Sequence, residues 1–173
     1  LKEMYYMIIN VIGLILTFLP NLNIAEAKVR DGPTTSDIEA FQWLKNNTPE
    51  DSSIMVLSEE GSAMSYYSNR KNVIDENYLL TNNINQRYQD SFSVYRDKFI
   101  TNALERLNYY NADYLVLTEF NKRRTNITAI AYEGDCMKEI YPSTGISMEE
   151  LKNKKVTEIY KVECRLNLKP NLN

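Results

Sequence analysis

Histidine is absent from this 173-residue chain, and glycine, proline, cysteine and tryptophan are all scarce. Without histidine the chain can form no Ser-His-Asp triad, no Cys-His pair and no histidine general base. The five glycines stand singly, which excludes a glycine-rich phosphate-binding loop. Two cysteines that lie far apart in the sequence do not make a zinc site. These absences leave carboxylates as the remaining candidate chemistry, and the sequence predicts no metal and no cofactor.

The charges are balanced, because 20 basic and 23 acidic residues are interspersed and the net charge is −3. The short basic clusters, residues 122–124 and 152–155, do not form a stripe that could follow a phosphate backbone. Nucleic acid is therefore not an expected partner. The length suits one domain with a substantial core.

A long apolar run does occur, from Met4 to Leu19, and it contains no charged residue. It is close to the lower limit of about 17 residues for a membrane-spanning helix, and it lacks the polar face of a buried amphipathic helix. We expect a membrane helix here, which could be the last of several. Residue 1 is Leu rather than Met, which fits either a fragment or a non-standard start. The alternative is a signal segment, because Ala25-Glu26-Ala27 has the small-x-small form of a cleavage site.

Both alternatives place residues 28–173 on the extracytoplasmic side of a cell membrane. The two cysteines, Cys136 and Cys164, agree with this location, because disulfides persist outside the cytoplasm. Asn46 and Asn126 each begin an N-glycosylation sequon, Asn-Asn-Thr and Asn-Ile-Thr. We therefore expect a disulfide between the cysteines and candidate glycosylation at both asparagines.

The pattern after the apolar run predicts alternating helices and strands. Ser36 and Glu39 have the spacing of a capping box for a first helix, which Pro49 stops. Residues 54–57 and 72–74 are short apolar runs typical of buried strands, and residues 59–67 between them have a helical pattern. Residues 84–110 predict two helices, or one broken near Ser93, in which Phe99, Ala103, Leu107 and Tyr110 share a face.

Three further strands are predicted, at residues 114–117, 137–141 and 156–162, with Asn111 as a left-handed helix cap. Pairing the last two antiparallel would bring Cys136 and Cys164 to the same end. A loop, residues 142–155, joins these two strands. The expected fold class is α/β, a small mixed sheet of about five strands with flanking helices, preceded by an N-terminal membrane helix. The expected domains are a membrane or signal segment at 1–20, a linker at 21–35, an extracytoplasmic α/β domain at 36–165 and a tail at 166–173.

Residues 37–77 resemble a segment of archaeal multi-spanning membrane glycosyltransferases of the GT-C class. The shared elements are Trp43-Leu44 before Thr48-Pro49-Glu50, an acidic turn at Glu59-Glu60-Gly61, and Arg70 ahead of Asp75. The segments at 109–117 and 159–164 are similar to the family's closing strands. The nearest well-defined relative is the oligosaccharyltransferase catalytic subunit, whose corresponding turn reads W-W-D-Y-G and holds the acceptor peptide. This chain has Leu57-Ser58-Glu59-Glu60-Gly61 there, and both tryptophans are missing.

The resemblance implies an accessory domain of a membrane glycosyltransferase that uses lipid-linked sugar. The metal-binding and base carboxylates of that class lie between early membrane helices that this chain does not contain, so we expect the chain to be inactive alone. Its partners would be the membrane and, through the full enzyme, a lipid-linked saccharide and an acceptor. The alternative from a different class is a secreted or membrane-anchored surface or binding protein without enzymatic activity.

The candidate ligand contacts are Glu59, Glu60, Arg70 and Asp75, because ligands of α/β sheets bind where a buried strand turns into a helix. Acidic side chains there would repel phosphate and favour a sugar hydroxyl, an acceptor amine or a cation. A structural interpretation is also open for each residue. The two glutamates can stabilise a helix N-terminus, and Arg70 can form an ion pair with Asp75.

Overall fold

The computed structural model describes Met4, residues 6–17, Asn21 and residues 32–77, 82–142 and 156–166. The chain divides into two units, Leu1–Gly32 and Pro33–Asn173. Apart from Pro142, the loop predicted at 142–155 lies outside the described residues, and so does most of the predicted linker and tail.

In the first unit, residues 6–17 are helical and are called α1. The Thr17 hydroxyl donates to the Gly13 carbonyl oxygen at 3.0 Å, so this polar group is satisfied by the helix itself. Its described apolar side chains are exposed, for example Leu14 and Leu16. Within the described ranges, no helix combines the length and the apolar character that crossing a membrane requires. The membrane helix expected at residues 1–20 stays a prediction.

The second unit alternates helices and strands, as the sequence predicts. Its elements are α2 (Thr35–Asn47), β1 (Ser53–Met55), α3 (Ser58–Ser68), β2 (Lys71–Asn72), α4 (Ile84–Arg96), α5 (Ile100–Tyr109), β3 (Tyr114–Leu117), α6 (Glu119–Thr125), β4 (Met137–Tyr141) and β5 (Glu158–Val162).

The strands form one five-stranded mixed sheet in the order β2-β1-β3-β5-β4. β1 pairs in parallel with both β2 and β3, whereas β5 is antiparallel to β3 and to β4. The predicted α/β class, with a mixed sheet of about five strands and flanking helices, is confirmed. The consequence for function is that β1, β2 and β3 present their carboxyl ends at the same edge.

Alternate residues along β1 and β3 face two separate apolar cores. Ile54 and Val116 pack in the core that contains Phe41 and Leu44 of α2 and Met64 of α3. The intervening Met55, Leu115 and Leu117 pack on the opposite side of the sheet, in a core completed by side chains of α4 and α5, namely Val94, Tyr95, Ala103, Leu104 and Leu107. This burial of both faces explains why the strands are continuous apolar runs.

The predicted capping box at Ser36 and Glu39 is wrong. The N-cap of α2 is Thr34, whose backbone N–H donates to Asp37 Oδ2 at 2.8 Å and whose hydroxyl accepts from the Asp37 N–H at 3.3 Å. Ser36 lies inside the first turn, where its hydroxyl accepts from the Thr157 N–H at 3.2 Å. The start of the helix is therefore shifted two residues upstream and is tied to the segment before β5.

The predicted pair of helices over residues 84–110 is present, but the break lies after Arg96 rather than near Ser93. Ser93 stays helical because Val94 and Tyr95, which follow it, are buried against the sheet. Phe99 precedes α5 and is 69 % exposed, so it does not share the buried face of Ala103 and Leu107.

The strand predictions differ from the structure mainly at the ends. β3 and β4 have the predicted bounds, whereas β1, β2 and β5 are shorter than the runs that predicted them. Asn111 has the expected left-handed conformation, with φ of 51°.

The antiparallel pairing of β4 and β5 places Met137 opposite Val162 and so brings the flanking cysteines together. The Sγ atoms of Cys136 and Cys164 lie 1.97 Å apart, and the Cα atoms 4.8 Å apart. The predicted placement of the cysteines at disulfide distance is confirmed.

Candidate functional site

Two strand-to-helix turns meet at the carboxyl edge of the parallel strands. β1 continues through Val56 and Leu57 into α3, and the neighbouring β3 continues through Thr118 into α6. Because β1 and β3 are parallel, the N-termini of both helices lie at this edge. Thr118 caps α6 by accepting the Asn121 N–H at 3.0 Å, whereas α3 has no side-chain cap.

Glu60, in the first turn of α3, is a buried carboxyl group, with only 6 % of the residue exposed. Neither of its side-chain oxygens makes a hydrogen bond of standard geometry with a described residue, although the Thr118 hydroxyl is close enough to lower its pKa as a hydrogen-bonding neighbour. Burial without a partner disfavours the charged form, and it raises the pKa of Glu60 to about 8. At neutral pH this group is therefore mostly a neutral carboxylic acid that can donate one hydrogen bond and accept others.

Four neighbouring side chains modify this pKa less than burial does. The Thr118 hydroxyl and the Arg123 guanidinium lower the pKa of Glu60, whereas the carboxylates of Asp37 and Glu59 raise it. Asp37 belongs to α2, and it is buried with its Oδ1 accepting a short hydrogen bond from the Thr157 hydroxyl. Side chains of α2, α3 and α6 and the cap residue Thr118 thus contribute polar groups around Glu60.

Asn121 adds a second unpartnered acceptor near this edge. Its Nδ2 donates to the Tyr95 hydroxyl and to the Val116 carbonyl oxygen, both at 3.0 Å. Its Oδ1 has no hydrogen-bond partner within the described ranges, although the residue is buried. The Tyr95 hydroxyl donates to the Val116 carbonyl at 2.8 Å, and its pKa is raised by burial first and by the charge of Glu60 second.

Glu59 differs from Glu60 because it is half-buried and has partners. Its Oε2 accepts from the Ser58 hydroxyl at 2.8 Å, and its Oε1 lies 3.6 Å from Arg124 Nε. This agrees with the structural interpretation of Glu59 as a charge at a helix N-terminus.

Asp75 lies beside the same turn, because the backbone at Ile74 and Asp75 passes directly over Gly61. A Cβ atom on Gly61 would be 2.1 Å from the Ile74 carbonyl oxygen and 2.8 Å from the Asp75 Cα. Asn72 Nδ2 joins the two segments, donating to the Gly61 carbonyl at 3.0 Å and to Asp75 Oδ2 at 3.3 Å. Glycine at position 61 is therefore required by close packing of two backbones.

Arg70 does not join this group, and the expected ion pair with Asp75 is not formed. The guanidinium of Arg70 is buried and donates to the carbonyl oxygens of Lys45 and Thr48 at 2.7 and 2.6 Å, and to the Thr48 hydroxyl at 3.0 Å. It also donates to the carbonyls of Ser68 and Asn69. Arg70 thus completes the C-terminal ends of α2 and α3, where carbonyl groups lack helical partners.

The predicted glycosylation sites are both exposed. Asn46 lies in the last turn of α2, and Asn126 is the left-handed C-cap of α6, with φ of 56°. Their modification stays a prediction.

The sequence reasoning missed four polar residues at this edge, Asp37, Tyr95, Thr118 and Asn121. Thr118 carried a sequence signal, since a threonine directly after a buried strand is a favoured helix N-cap, and Asn121 lies three residues later, where the capped backbone N–H is expected. Asp37 and Tyr95 carried none, because nothing in a helix pattern shows which buried polar side chain reaches another element.

The unpartnered acceptors at this edge are closed to solvent, so a ligand that carries hydrogen-bond donors could reach them only if the turn opens. The Glu60 carboxyl and the Asn121 carbonyl oxygen are acceptors without protein donors in the described part of the chain. A hydroxyl group could bond to both forms of Glu60, whereas an amine would ionise it by charge pairing. Across the described ranges, no three His, Cys, Asp or Glu side chains are grouped so that they could hold a metal ion.

No protein-family model matches this chain, and no curated protein matches its sequence. Among solved structures, the fold is similar to the C-terminal globular domain of an oligosaccharyltransferase from Archaeoglobus fulgidus, with a TM-score of 0.51 and 12 % sequence identity. The match covers 76 % of this chain and 99 % of that domain. At this identity the likeness establishes the fold alone.

Proposed function

We propose that this chain belongs to a membrane-embedded glycosyltransferase that uses a lipid-linked sugar. In this proposal residues 36–165 are its extracytoplasmic accessory domain, which is not catalytic by itself, and residues 28–173 lie outside the cytoplasm. The single observation that carries the proposal is the fold, which matches the globular domain of an oligosaccharyltransferase over nearly its whole length.

The apolar N-terminal segment supports a membrane location. Helix α1 carries no charged side chain, and its Thr17 hydroxyl is satisfied by the helix's own carbonyl oxygens. Both features suit a lipid environment, in which polar groups must be bonded internally.

The role of the domain is to contact the acceptor through the α3 turn, with Glu60 as the main contact and Glu59 and Asp75 beside it. Glu60 supports this role because a buried carboxyl without a partner costs folding free energy, so its presence calls for a function other than stability. Arg70 takes no part, since all the bonds that the structure gives its guanidinium go to main-chain carbonyls and Thr48.

The test is to replace Glu60 by Gln, and separately Glu59 by Gln, in the complete gene product. Transfer of sugar from a lipid-linked donor and the unfolding of the domain are then measured together. Glu139→Gln is the matched control, because burial also raises the pKa of this half-buried glutamate, to about 7, but it lies on β4 away from the turn.

We expect Glu60→Gln to lower transfer selectively, with folding retained, while Glu139→Gln leaves transfer unchanged. Unchanged transfer in both Glu60→Gln and Glu59→Gln would contradict a binding role of the α3 turn. Absence of any transfer by the complete gene product would favour the other class, a secreted or membrane-anchored binding protein without enzymatic activity.

A further inference from the structure

A second polar depression lies away from the α3 turn, where the start of α4 meets the end of α5. It has a volume of about 300 Å³, and we call it the amide groove. Besides Tyr110, its lining residues are Asn82, Asn83, Gln86, Arg87, Tyr109 and Asn111. Four of these side chains are amides and none is a carboxylate, so the lining can both donate and accept hydrogen bonds without fixed negative charge.

The amides of the groove are not used to stabilise the helices that carry them. Asn83 is the N-cap of α4, yet its side chain makes no capping hydrogen bond. Asn83 and Asn111 both have left-handed backbones, with φ of 55° and 51°, a conformation that asparagine adopts more readily than most residues. Within the described ranges, the side chains of Asn82, Asn83, Gln86 and Asn111 have no protein hydrogen-bond partner.

In contrast, Arg87 and Tyr110 are held in place. Arg87 Nη1 donates to the Val73 carbonyl oxygen at 2.9 Å, and its guanidinium carbon lies 5.3 Å from the centroid of the Tyr110 ring. The Tyr110 hydroxyl donates to Asp90 Oδ2 at 2.7 Å. The groove therefore has fixed polar and aromatic groups next to free amides, which limits the ordering cost of binding.

Tyr109 supplies an exposed aromatic surface at this groove. It is 65 % exposed and meets the Tyr110 ring edge-on, with centroids 4.9 Å apart. An exposed aromatic ring beside amides without protein partners favours ligands with both an apolar face and a polar edge.

We infer that the amide groove binds a saccharide unit. A pyranose ring has an apolar C–H face, which can pack on Tyr109, and an edge of hydroxyl groups. Each hydroxyl both donates and accepts, which matches the amide side chains of Asn83, Gln86 and Asn111. One cation, Arg87, lines the groove, and it is already bonded to a carbonyl and stacked on a ring. A phosphate chain or nucleic acid, which requires several cations, does not fit this lining.

A second tyrosine pair provides an internal comparison. Tyr66 is 80 % exposed and meets Tyr67 edge-on at 5.1 Å, in nearly the same geometry as Tyr109 and Tyr110. Neither Tyr66 nor Tyr67 lines the amide groove. Tyr66 therefore separates the effect of an exposed tyrosine from the effect of the groove.

The whole chain in detergent is titrated with methyl α-mannopyranoside, methyl β-glucopyranoside or methyl β-glucuronopyranoside. Binding is monitored by the NMR chemical shifts of the backbone amides. We expect dissociation constants of about 1 mM, as suits a small open groove, with shifts centred on residues 82–87 and 109–111. Tyr109→Ala, and Asn83→Gly with Asn111→Gly, should each weaken binding about fivefold or more. Glycine adopts the left-handed backbone freely, so the second variant removes amides without strain. Tyr66→Ala should leave binding unchanged.

The inference is overturned if no glycoside shifts these residues, or if Tyr66→Ala weakens binding as much as Tyr109→Ala does. Inorganic phosphate is the competing probe, and stronger shifts with phosphate than with every glycoside would also overturn it. The groove does not include Glu60. A failure of the saccharide-binding inference can therefore be told apart from a failure of the proposed transferase role.

Discussion

A buried ionisable side chain lies at each end of α3, and the two side chains differ in how many hydrogen bonds they make. Past the C-terminal end, the guanidinium of Arg70 donates to four carbonyl oxygens and one hydroxyl group. At the N-terminal end, neither oxygen of Glu60 has a described partner. A fully bonded buried charge is what a structural role requires, whereas an unbonded one costs stability. The comparison separates a structural residue from a candidate binding residue, although the sequence had grouped both as ligand contacts.

The largest effect is expected from Arg70→Met. The substitution leaves the carbonyls at the ends of α2 and α3 without donors, each at a cost of about 1 to 3 kcal/mol, and we expect a total loss of about 4 kcal/mol. Urea unfolding of the whole chain, followed by circular dichroism, measures it. The control Arg96→Met removes an exposed arginine and should change stability by less than about 0.5 kcal/mol. Equal losses of stability in Arg70→Met and Arg96→Met would show that the bonds of Arg70 do not stabilise the fold.

Glu60→Gln should act in the opposite direction and depend on pH. The pKa of Glu60 in the folded chain, about 8, lies above its ordinary value of 4.5, so folding takes up a proton. Stability from this group is therefore fully present below about pH 4.5 and is lost as the pH rises through 8. The wild-type free energy of unfolding should fall by up to about 1.4 kcal/mol per pH unit in this window, about 4 kcal/mol across it.

In Glu60→Gln the slope should be reduced and should end near pH 7, because only the contribution of Glu139, whose pKa is raised to about 7, remains. The variant should be more stable than wild type at pH 8. Unfolding measured from pH 5 to 8 in wild type, Glu60→Gln and the control Glu139→Gln tests this. If the slope survives unchanged in Glu60→Gln and disappears in Glu139→Gln, the titrating group is Glu139, and the prediction for Glu60 is wrong.

Gly61→Ala tests the packing that holds the turn beside Asp75. The added methyl group would meet the Ile74 carbonyl oxygen and the Asp75 backbone, so one segment must move, and we expect a loss of about 2 kcal/mol. Gly134→Ala is the control, because nothing lies within 4 Å of a Cβ built at that position. A neutral Gly61→Ala would mean that the two backbones are free to separate.

Glu59→Gln should have the smallest effect on folding. Glu59 is half-buried and its contact with Arg124 is 3.6 Å long, so its loss should cost less than about 0.5 kcal/mol. The same unfolding assay checks this at high and low salt. A larger, salt-dependent loss would make Glu59 a structural capping charge rather than a neighbour of the binding residue.

The parts of this fold that the sequence predicted are those with a dense local signal. β3 and β4 were bounded correctly because their apolar or alternating patterns end at polar residues. The antiparallel pairing of β4 with β5 agrees with the positions of Cys136 and Cys164. The first cap was misplaced because Thr34, Ser36 and Asp37 all offer capping chemistry, and the bond from Ser36 to Thr157 joins residues far apart in the sequence.

The candidate site was predicted only at the level of its turn. Glu59, Glu60 and Asp75 do lie around one helix N-terminus, as expected for the carboxyl edge of parallel strands. Arg70 was grouped with them because it flanks the neighbouring strand, but it lies directly before β2, and α3 separates it from Glu60. The contributions of Asp37, Tyr95 and Asn121 depend on tertiary packing between elements, which local sequence patterns do not encode.

The pKa of the Glu60 carboxyl, measured directly, tests the central claim that this group is buried without a partner. The measurement is a ¹³C NMR titration of the side-chain carboxyls in the whole chain, with Glu60→Gln used to assign the signal. A midpoint near pH 8 is predicted. A midpoint below pH 5 would show that Glu60 is solvated or paired in the folded chain, and it would contradict the assignment of Glu60 as the available binding group.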